Sequence, residues 1–206
     1  ESHASAVQTI LRYLQGTKLK GIVIRPDGTF NLVLWVDADF AGLFGAEKGN
    51  NINVARSRMG YVITLGGVPL TWRSQLMPDV CLSTLEAEYS AMSLALRVVI
   101  PIRSVVLHLI SQFEVDCANG TTVHCTLFED NQGAYLLATQ QKLSPRTKYF
   151  AVKMHHFWSH VKHEETNPTG WLSVEKCPSD QQRADMMTKG LSLPPFENNR
   201  MNVCGH

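Results

Sequence analysis

Residues 31 to 39, "NLVLWVDAD", place apolar side chains on both faces of one strand and then end it on acid. Leu32, Leu34 and Val36 alternate with Asn31, Val33 and Trp35, and Asp37 follows. An acid leaving a buried strand is an unusual place for a charge with no task, because an unpaired charge is costly to bury. The rest of the chain must supply the layers that cover this strand and the groups that meet its end.

Residues 5 to 15, "SAVQTILRYLQ", put Val7, Ile10, Leu11 and Leu14 at the spacing of an amphipathic helix, with Gly16 as its stop. "GIVIRPDGTFNLVLWVDAD" predicts two strands around a Pro-Asp-Gly turn. "MGYVITLGGVPLTWRS" predicts a second hairpin, turning at Gly66-Gly67, and residues 45 to 57 are polar and read as a loop. Residues 83 to 112 predict a long helix, kinked at Pro101. "TVHCTLFED" predicts a strand ending in acid, and residues 131 to 140 and 147 to 163 predict helices. "GWLSVEKC" predicts a strand and "SDQQRADMMTK" a helix that ends at Gly190. Residues 192 to 206 contain Pro-Pro and little periodicity, so weak order is expected there. Strands come first and strand–helix alternation follows, the pattern of a mixed α/β layer.

A chain of 206 residues holds one sizeable core. Its net charge of +1 argues against tight autonomous binding to nucleic acid, which draws on phosphate neutralisation, and allows a domain tethered to other binding modules. The five cysteines are scattered with no CxxC pair, which suits reduced intracellular thiols rather than a structural zinc. No apolar run approaches the roughly 18 residues expected of a bilayer span, and no signal peptide precedes the first helix. The first residue is not Met, so the chain reads as a piece of something longer.

Four acids fall at element boundaries: Asp37 after its strand, Glu86 or Glu88 in the first turns of the long helix, Asp130 after "TLFE", and Asp185 in the last helix. Carboxylates converging from two strand ends and two helices suit hard divalent cations, which take oxygen ligands. Two such ions on the order of 4 Å apart activate water and stabilise a leaving oxygen in phosphodiester cleavage. Each acid also has a plain structural alternative. Asp130 suits a helix N-cap, Asp185 a solvated helix position and Asp37 a turn.

Several stretches together resemble the ribonuclease H domain of copia-type LTR-retrotransposon Pol polyproteins. They are "WVDADFAG" (35–42), "RSRMGYVITLGGVPLTWRS" (56–74), "LSTLEAEYSAM" (82–92), "EDNQGA" (129–134), "RTKYFAVKMHHF" (146–157) and "QQRADMMTKGL" (181–191), in the family's order and spacing. Residues 1–22 look like the C-terminal end of the reverse transcriptase portion, 23–191 like the ribonuclease H domain, and 192–206 form the weakly ordered tail. The polymerase's own paired-aspartate motif is absent. The resemblance implies a ribonuclease H-like α/β fold, a five-stranded mixed sheet flanked by helices. It implies hydrolysis of the RNA strand of RNA/DNA hybrids with two Mg²⁺ or Mn²⁺ ions. Asp37, Asp130 and Asp185 match three of the family's catalytic, metal-holding acids, and the fourth comes from "TLEAEY". Its implied setting is intracellular, in cytoplasmic virus-like particles or the nucleus, beside the reverse transcriptase portion, with no membrane partner.

Two arguments separate the glutamates. Residues two apart on a helix point about 200° apart, so both cannot face one site. Glu88 shares its face with Ala91, Met92, Ala95 and Val99, an apolar stripe; Glu86 shares its own with Ser90, Ser93 and Arg97. Ser83-Thr84-Leu85-Glu86 also fits a capping box, in which Glu86 reaches back to the N–H of the cap residue. Glu86 is thus expected to be an exposed capping residue and Glu88 the metal ligand.

In the ribonuclease H fold, Ser83, Thr84, Asn131 and Gln132 lie where a hybrid's minor groove and 2′-hydroxyls pass; helix capping is their plain alternative. Arg146 and Lys148 are candidates for phosphate contact, against a simple solvated basic face. His156, His160 and His163 share a helical spacing, but core packing around Phe157 and Val161 is favoured over ligation. Where the family has His-Ile-Asp after "RTK", this chain has Tyr149-Phe150-Ala151, and the loop before Asp185 has no His. The polar insert "GAEKGNN" (45–51) has no assigned purpose. The other reading is a non-catalytic relic or hybrid-binding module of a decayed element; a DNA recombinase on the same fold would place its Glu on a late helix instead.

Overall fold

Strand β1, Leu32–Asp39, takes the centre of a five-stranded sheet. The computed structural model describes residues 2–44, 52–114, 123–142 and 151–205. β1 pairs antiparallel with β2, Arg58–Leu65, which pairs antiparallel with β3, Val68–Leu76. On its other side β1 pairs parallel with β4, Cys125–Glu129, and β4 parallel with β5, Leu172–Lys176. The order β3-β2-β1-β4-β5 is the five-stranded mixed sheet that the resemblance implied. The β2–β3 turn falls at Gly66 and Gly67, both at positive φ (56° and 78°), where glycine carries no steric cost.

Before and after β1 run helices α1, Ser2–Gly16, and α2, Ile52–Ala55. Residues 52–55 of the predicted loop therefore form a helical turn, while the insert 45–51 lies outside the described residues. The apolar stripe of α1 is exposed, including Val7, Ile10, Leu11 and Leu14. α3, Thr84–Gln112, contains Pro101. Contrary to the expectation from the sequence, α3 is long and apolar enough to cross a bilayer by length and composition alone, the only such helix among the described residues. Its first half is the covering layer of the sheet: Ala87, Ala91, Met92, Ala95, Leu96 and Val99 are fully buried against Leu32, Leu34 and Val36. Helices α4, Gln132–Gln140, and α5, Ala151–Trp158, complete this layer with Ala134, Ala138, Met154 and Phe157. α5 ends at Trp158, so His163 does not share a helix face with His156, and residues 143–150 of the predicted segment lie outside the described residues. On the opposite face Trp35 stacks on Phe128 with ring centroids 4.2 Å apart, and Val62, Cys177, Ala184 and Val203 surround them.

Three further expectations are corrected. Residues 21–27 form no strand, because β2 and β4 already occupy both edges of β1. That segment bonds elsewhere: Val23 N–H donates to Cys204 O and Asp27 N–H to Gly66 O, both at 2.9 Å. The last predicted helix is broken into a single 3-10 turn at Ser179–Gln181 and a short helix α6, Asp185–Thr188. The break is at Gln182, which is fully buried and donates its amide to Val36 O at 2.8 Å. The tail is ordered as helix α7, Leu193–Cys204. Pro194 and Pro195 sit in its first turn, where no intrahelical N–H bond is lost. Buried Asn199 and Val203 anchor it, and Gly205 caps it at φ 81°.

Candidate metal centre

The end of β1 is where the two layers meet. Asp37 is 1 % exposed there, opposite Gly60 of β2. Gly60 admits α6 to close range: a Cβ at that position would lie 2.5 Å from Met187 Cβ and 2.9 Å from Thr188 Cγ2. The Thr188 hydroxyl donates to Asp37 Oδ2, and Lys189 Nζ donates to Asp37 Oδ1 at 3.1 Å.

From the other layer, α3 brings Glu88, 5 % exposed. Asp130 follows β4. One carboxylate oxygen from each of Asp37, Glu88 and Asp130 lies within 4.8 Å of the others. Glu88 Oε2 is buried without a hydrogen-bond partner among the described residues. Burial above all, then the charges of Glu129, Asp37 and Asp130, pushes the Glu88 carboxyl up to about 10; Lys189 opposes this. A donor set made only of carboxylate oxygens, two of the three acids buried and one oxygen unpartnered among the described residues, fits a hard divalent cation.

Of the two glutamates, Glu88 lies in the three-acid group, while the expected exposure of Glu86 is corrected. Ser83 caps α3, accepting from Glu86 N–H at 3.1 Å. Glu86 reaches back one residue further than expected and accepts from Leu82 N–H at 2.7 Å. It is 7 % exposed rather than solvated, because Ser90 and Ser93 on the same stripe are buried too. The polarity of that stripe therefore did not mark an outer face.

For Asp130 the capping alternative is removed. Asn131 caps α4, its Oδ1 accepting from Gly133 N–H at 2.9 Å and Ala134 N–H at 3.0 Å. Asp185 begins α6 and stands outside the three-acid group. Lys189 connects it, with Nζ 2.8 Å from Asp185 Oδ1. Burial, then Asp37, raises the Asp185 carboxyl against the hydrogen bond and charge of Lys189. Burial works against the Lys189 ammonium, but the bond to Asp185 and the charges of Asp37 and Asp185 outweigh it and raise its pKa.

Ser83 and Asn131 do cap their helices, while Thr84 and Gln132 are exposed beside them. Gly133 brings these two helix starts together, since a Cβ there would lie 2.5 Å from Leu85 Cδ1. Lys176 Nζ donates to Gln132 Oε1. Arg146 and Lys148 lie outside the described residues.

Three participants were missed. Glu129 is fully buried; its Oε1 accepts from Asn131 N–H at 3.0 Å and its Oε2 has no partner among the described residues. Burial, then Asp130 and Asp37, pushes it up to about 8, against the Asn131 bond. Its signal was alternation, since Cys125, Leu127 and Glu129 share the inward face of β4. Lys189 was legible only as an i,i+4 partner of Asp185, and Thr188 only as its neighbour.

No protein-family model matches the chain. It is 30% identical over 198 residues to the Retrovirus-related Pol polyprotein from transposon RE1 of Arabidopsis thaliana, covering 96% of this chain and 12% of that protein. It is 31% identical over 199 residues to the corresponding polyprotein from transposon TNT 1-94 of Nicotiana tabacum, covering 96% of this chain and 13% of that protein. The chain thus spans about an eighth of the length of these curated relatives. Among solved structures it resembles LC11-RNase H1, isolated from compost, with a TM-score of 0.50, 18% identity, and coverage of 77% of this chain and 93% of that one. The likeness to that structure is one of fold. Along 96% of its length, the chain is therefore homologous to copia-type Pol polyproteins from transposons, and its own fold is that of ribonuclease H.

Proposed function

We propose that the protein is a divalent-metal-dependent ribonuclease H that cleaves the RNA strand of RNA/DNA hybrids during reverse transcription of a retroelement. The observation that carries this reading is the meeting of Asp37, Glu88 and Asp130 within 4.8 Å at the end of the central strand. Asp37, Glu88, Asp130 and Asp185 would hold two Mg²⁺ or Mn²⁺ ions. When bound, such ions lower the pKa of an attacking water and offset charge on the departing 3′ oxygen. The chain's own part is to fix the carboxylates and the strand to be cut. β1 and α3 hold Asp37 and Glu88 in a buried, water-poor setting. The Asn131 cap fixes the start of α4 beside Asp130. Exposed Thr84 and Gln132, with Ser83 and Asn131, form a polar rim for 2′-hydroxyls, so shape rather than base sequence is read.

The reading extends to context. The near-neutral charge and the exposed apolar stripe of α1 support residues 1–22 as the end of a polymerase portion of the same polyprotein, which would contribute most of the hybrid binding. The setting that goes with it is intracellular, in virus-like particles or the nucleus.

The test is cleavage of an end-labelled RNA/DNA hybrid in Mg²⁺ or Mn²⁺ by the wild type, Glu88→Gln and Glu86→Gln, with a longer chain that extends into the polymerase portion as control. Glu88→Gln is expected to lose cleavage while melting no lower than wild type. Glu86→Gln is expected to keep cleavage and lose about 1 kcal/mol of stability through its cap. Cleavage retained by Glu88→Gln and lost by Glu86→Gln would reverse the assignment. An inactive wild type in every metal would favour a non-catalytic relic.

A further inference from the structure

Lys189 stands where two of the proposed metal ligands converge. Its Nζ lies 3.1 Å from Asp37 Oδ1 and 2.8 Å from Asp185 Oδ1. Thr188 takes the other oxygen of Asp37. One short segment, Thr188-Lys189, therefore engages both oxygens of a carboxylate that is 1 % exposed. The third and fourth acids are treated differently. Glu88 Oε2 has no hydrogen-bond partner among the described residues, and neither Glu88 nor Asp130 is in a salt bridge there.

An ammonium and a divalent cation seek the same carboxylate oxygens, and two cations a few ångströms apart repel. A divalent ion bridging Asp37 and Asp185 therefore cannot coexist with Lys189 in its present position. The side chain of Lys189 is 41 % exposed, so its ammonium has a route outward on its flexible stem. The ammonium also answers a structural need. Asp37 is a buried charge, and a buried charge left unpaired is strongly destabilising.

We infer that Lys189 is a built-in cation of this site, joining Asp37 to Asp185 in the metal-free protein and swinging out when a divalent ion bridges them. The inference rests on the metal-dependent reading of the same four acids. It makes the two ion positions unequal. The ion among Asp37, Glu88 and Asp130 meets two carboxylates, those of Glu88 and Asp130, that no described lysine holds. The ion between Asp37 and Asp185 must displace Lys189, and binds more weakly for it. Occupancy of the second position then depends on the metal concentration over a range in which the first is already filled.

Mn²⁺ binding, followed by the loss of the free-ion EPR signal, tests this without any turnover. For wild type the second ion is expected to bind at least about tenfold more weakly than the first. Lys189→Met is expected to tighten the second ion by about tenfold or more, while Lys189→Arg keeps the wild-type pattern. Superimposable titrations of wild type and Lys189→Met would overturn the inference. Should Lys189→Met fail to fold, the wild type decides. Acetylation of Lys189 by a limiting acylating reagent, read by mass spectrometry, is expected to rise severalfold on adding Mg²⁺, and unchanged labelling would overturn the inference. Absence of Mn²⁺ binding to either protein overturns it along with the metal reading. Cleavage that depends on Glu88, together with a titration indifferent to Lys189, would remove only the inference.

Discussion

Glu88 and Glu129 come from different layers, and each buries a carboxylate oxygen, Oε2, that no described residue hydrogen-bonds. Both are pushed up in the fold, to about 10 and about 8, first by burial and then by neighbouring acids. A carboxyl whose folded pKa lies above its unfolded one binds more protons in the folded state. Stability therefore falls as pH rises above the unfolded value near 4.5, and goes on falling up to the folded value. Each group held protonated contributes about 1.4 kcal/mol per pH unit in that window, or roughly 3–5 °C in Tm for a chain of this size. In EDTA, Tm is expected to fall steadily from pH 5 to pH 8. Glu88→Gln should flatten the slope, and 10 mM Mg²⁺ should do so in wild type, by on the order of half. A Tm that rises with pH in EDTA would contradict the arrangement of these acids.

Asp130 and its neighbour Asn131 divide two roles that position alone left joined. Asn131 accepts both N–H groups at the start of α4, and Asp130 contributes to the acidic group. Asn131→Ala is expected to cost about 1 kcal/mol, read as a lower Tm, with a loss of cleavage under tenfold. Asp130→Asn removes a like charge from the acidic group. It is expected to melt at or above the wild-type temperature in EDTA and to lose cleavage by on the order of a hundredfold or more. The reverse pattern would make Asp130 the structural residue.

What the sequence made legible was local or periodic. The apolar run of β1 reads as central because both its faces are apolar, and Gly66-Gly67 marks its own turn. Glu88 reads as buried because Ala91, Met92, Ala95 and Val99 share its stripe. What escaped was non-local. Residues 21–27 have strand-like composition, yet pairing depends on a free edge, and β1 has none. Pro194-Pro195 reads as a break until α7 is seen to start just before it. Glu86 looked exposed because its stripe is polar, but packing buries polar stripes when their groups find partners, as Glu86 does at Leu82 N–H. Lys189 reaches Asp37 only because α6 docks on Gly60, a contact between residues far apart in the chain.

That docking supplies the next test. Gly60→Ala places a methyl group 2.5 Å from Met187 Cβ, which is not the far end of a flexible side chain. α6 must move, and Thr188 and Asp185 move with it relative to Asp37. Overpacking of this kind costs about 1–3 kcal/mol, visible as a lower denaturation midpoint. Cleavage is expected to drop by more than about tenfold, since displacement of a positioning segment by an ångström is felt strongly. Gly133→Ala makes the same kind of intrusion, on Leu85 Cδ1, but a side-chain terminus can yield. Its stability loss should be the smaller of the two. Equal and negligible effects at both positions would mean that α6 is not held by this approach.

Gln182 holds α6 from the other end. The parallel pairing of β1 with β4 stops at Trp35 and Phe128, so the next carbonyl of β1, that of Val36, has no strand partner on that side. The Gln182 amide takes its place, donating to Val36 O at 2.8 Å, while its Oε1 accepts from Ala184 N–H at 3.3 Å. One buried side chain thus ties the segment preceding Asp185 to the residue preceding Asp37. Gln182→Leu leaves an acceptor and a donor buried and unpaired, at about 1–3 kcal/mol each. Its Tm is expected to fall by several degrees. Gln182→Glu keeps an acceptor for Ala184 N–H but, ionised, offers Val36 O a repelling oxygen, so it should destabilise at neutral pH and recover in acid as the carboxyl regains a proton. Thermal melts of the three proteins from pH 5 to pH 8 separate these cases. A Gln182→Leu variant as stable and as active as wild type would show that the amide bridge neither anchors α6 nor sets its distance from Asp37.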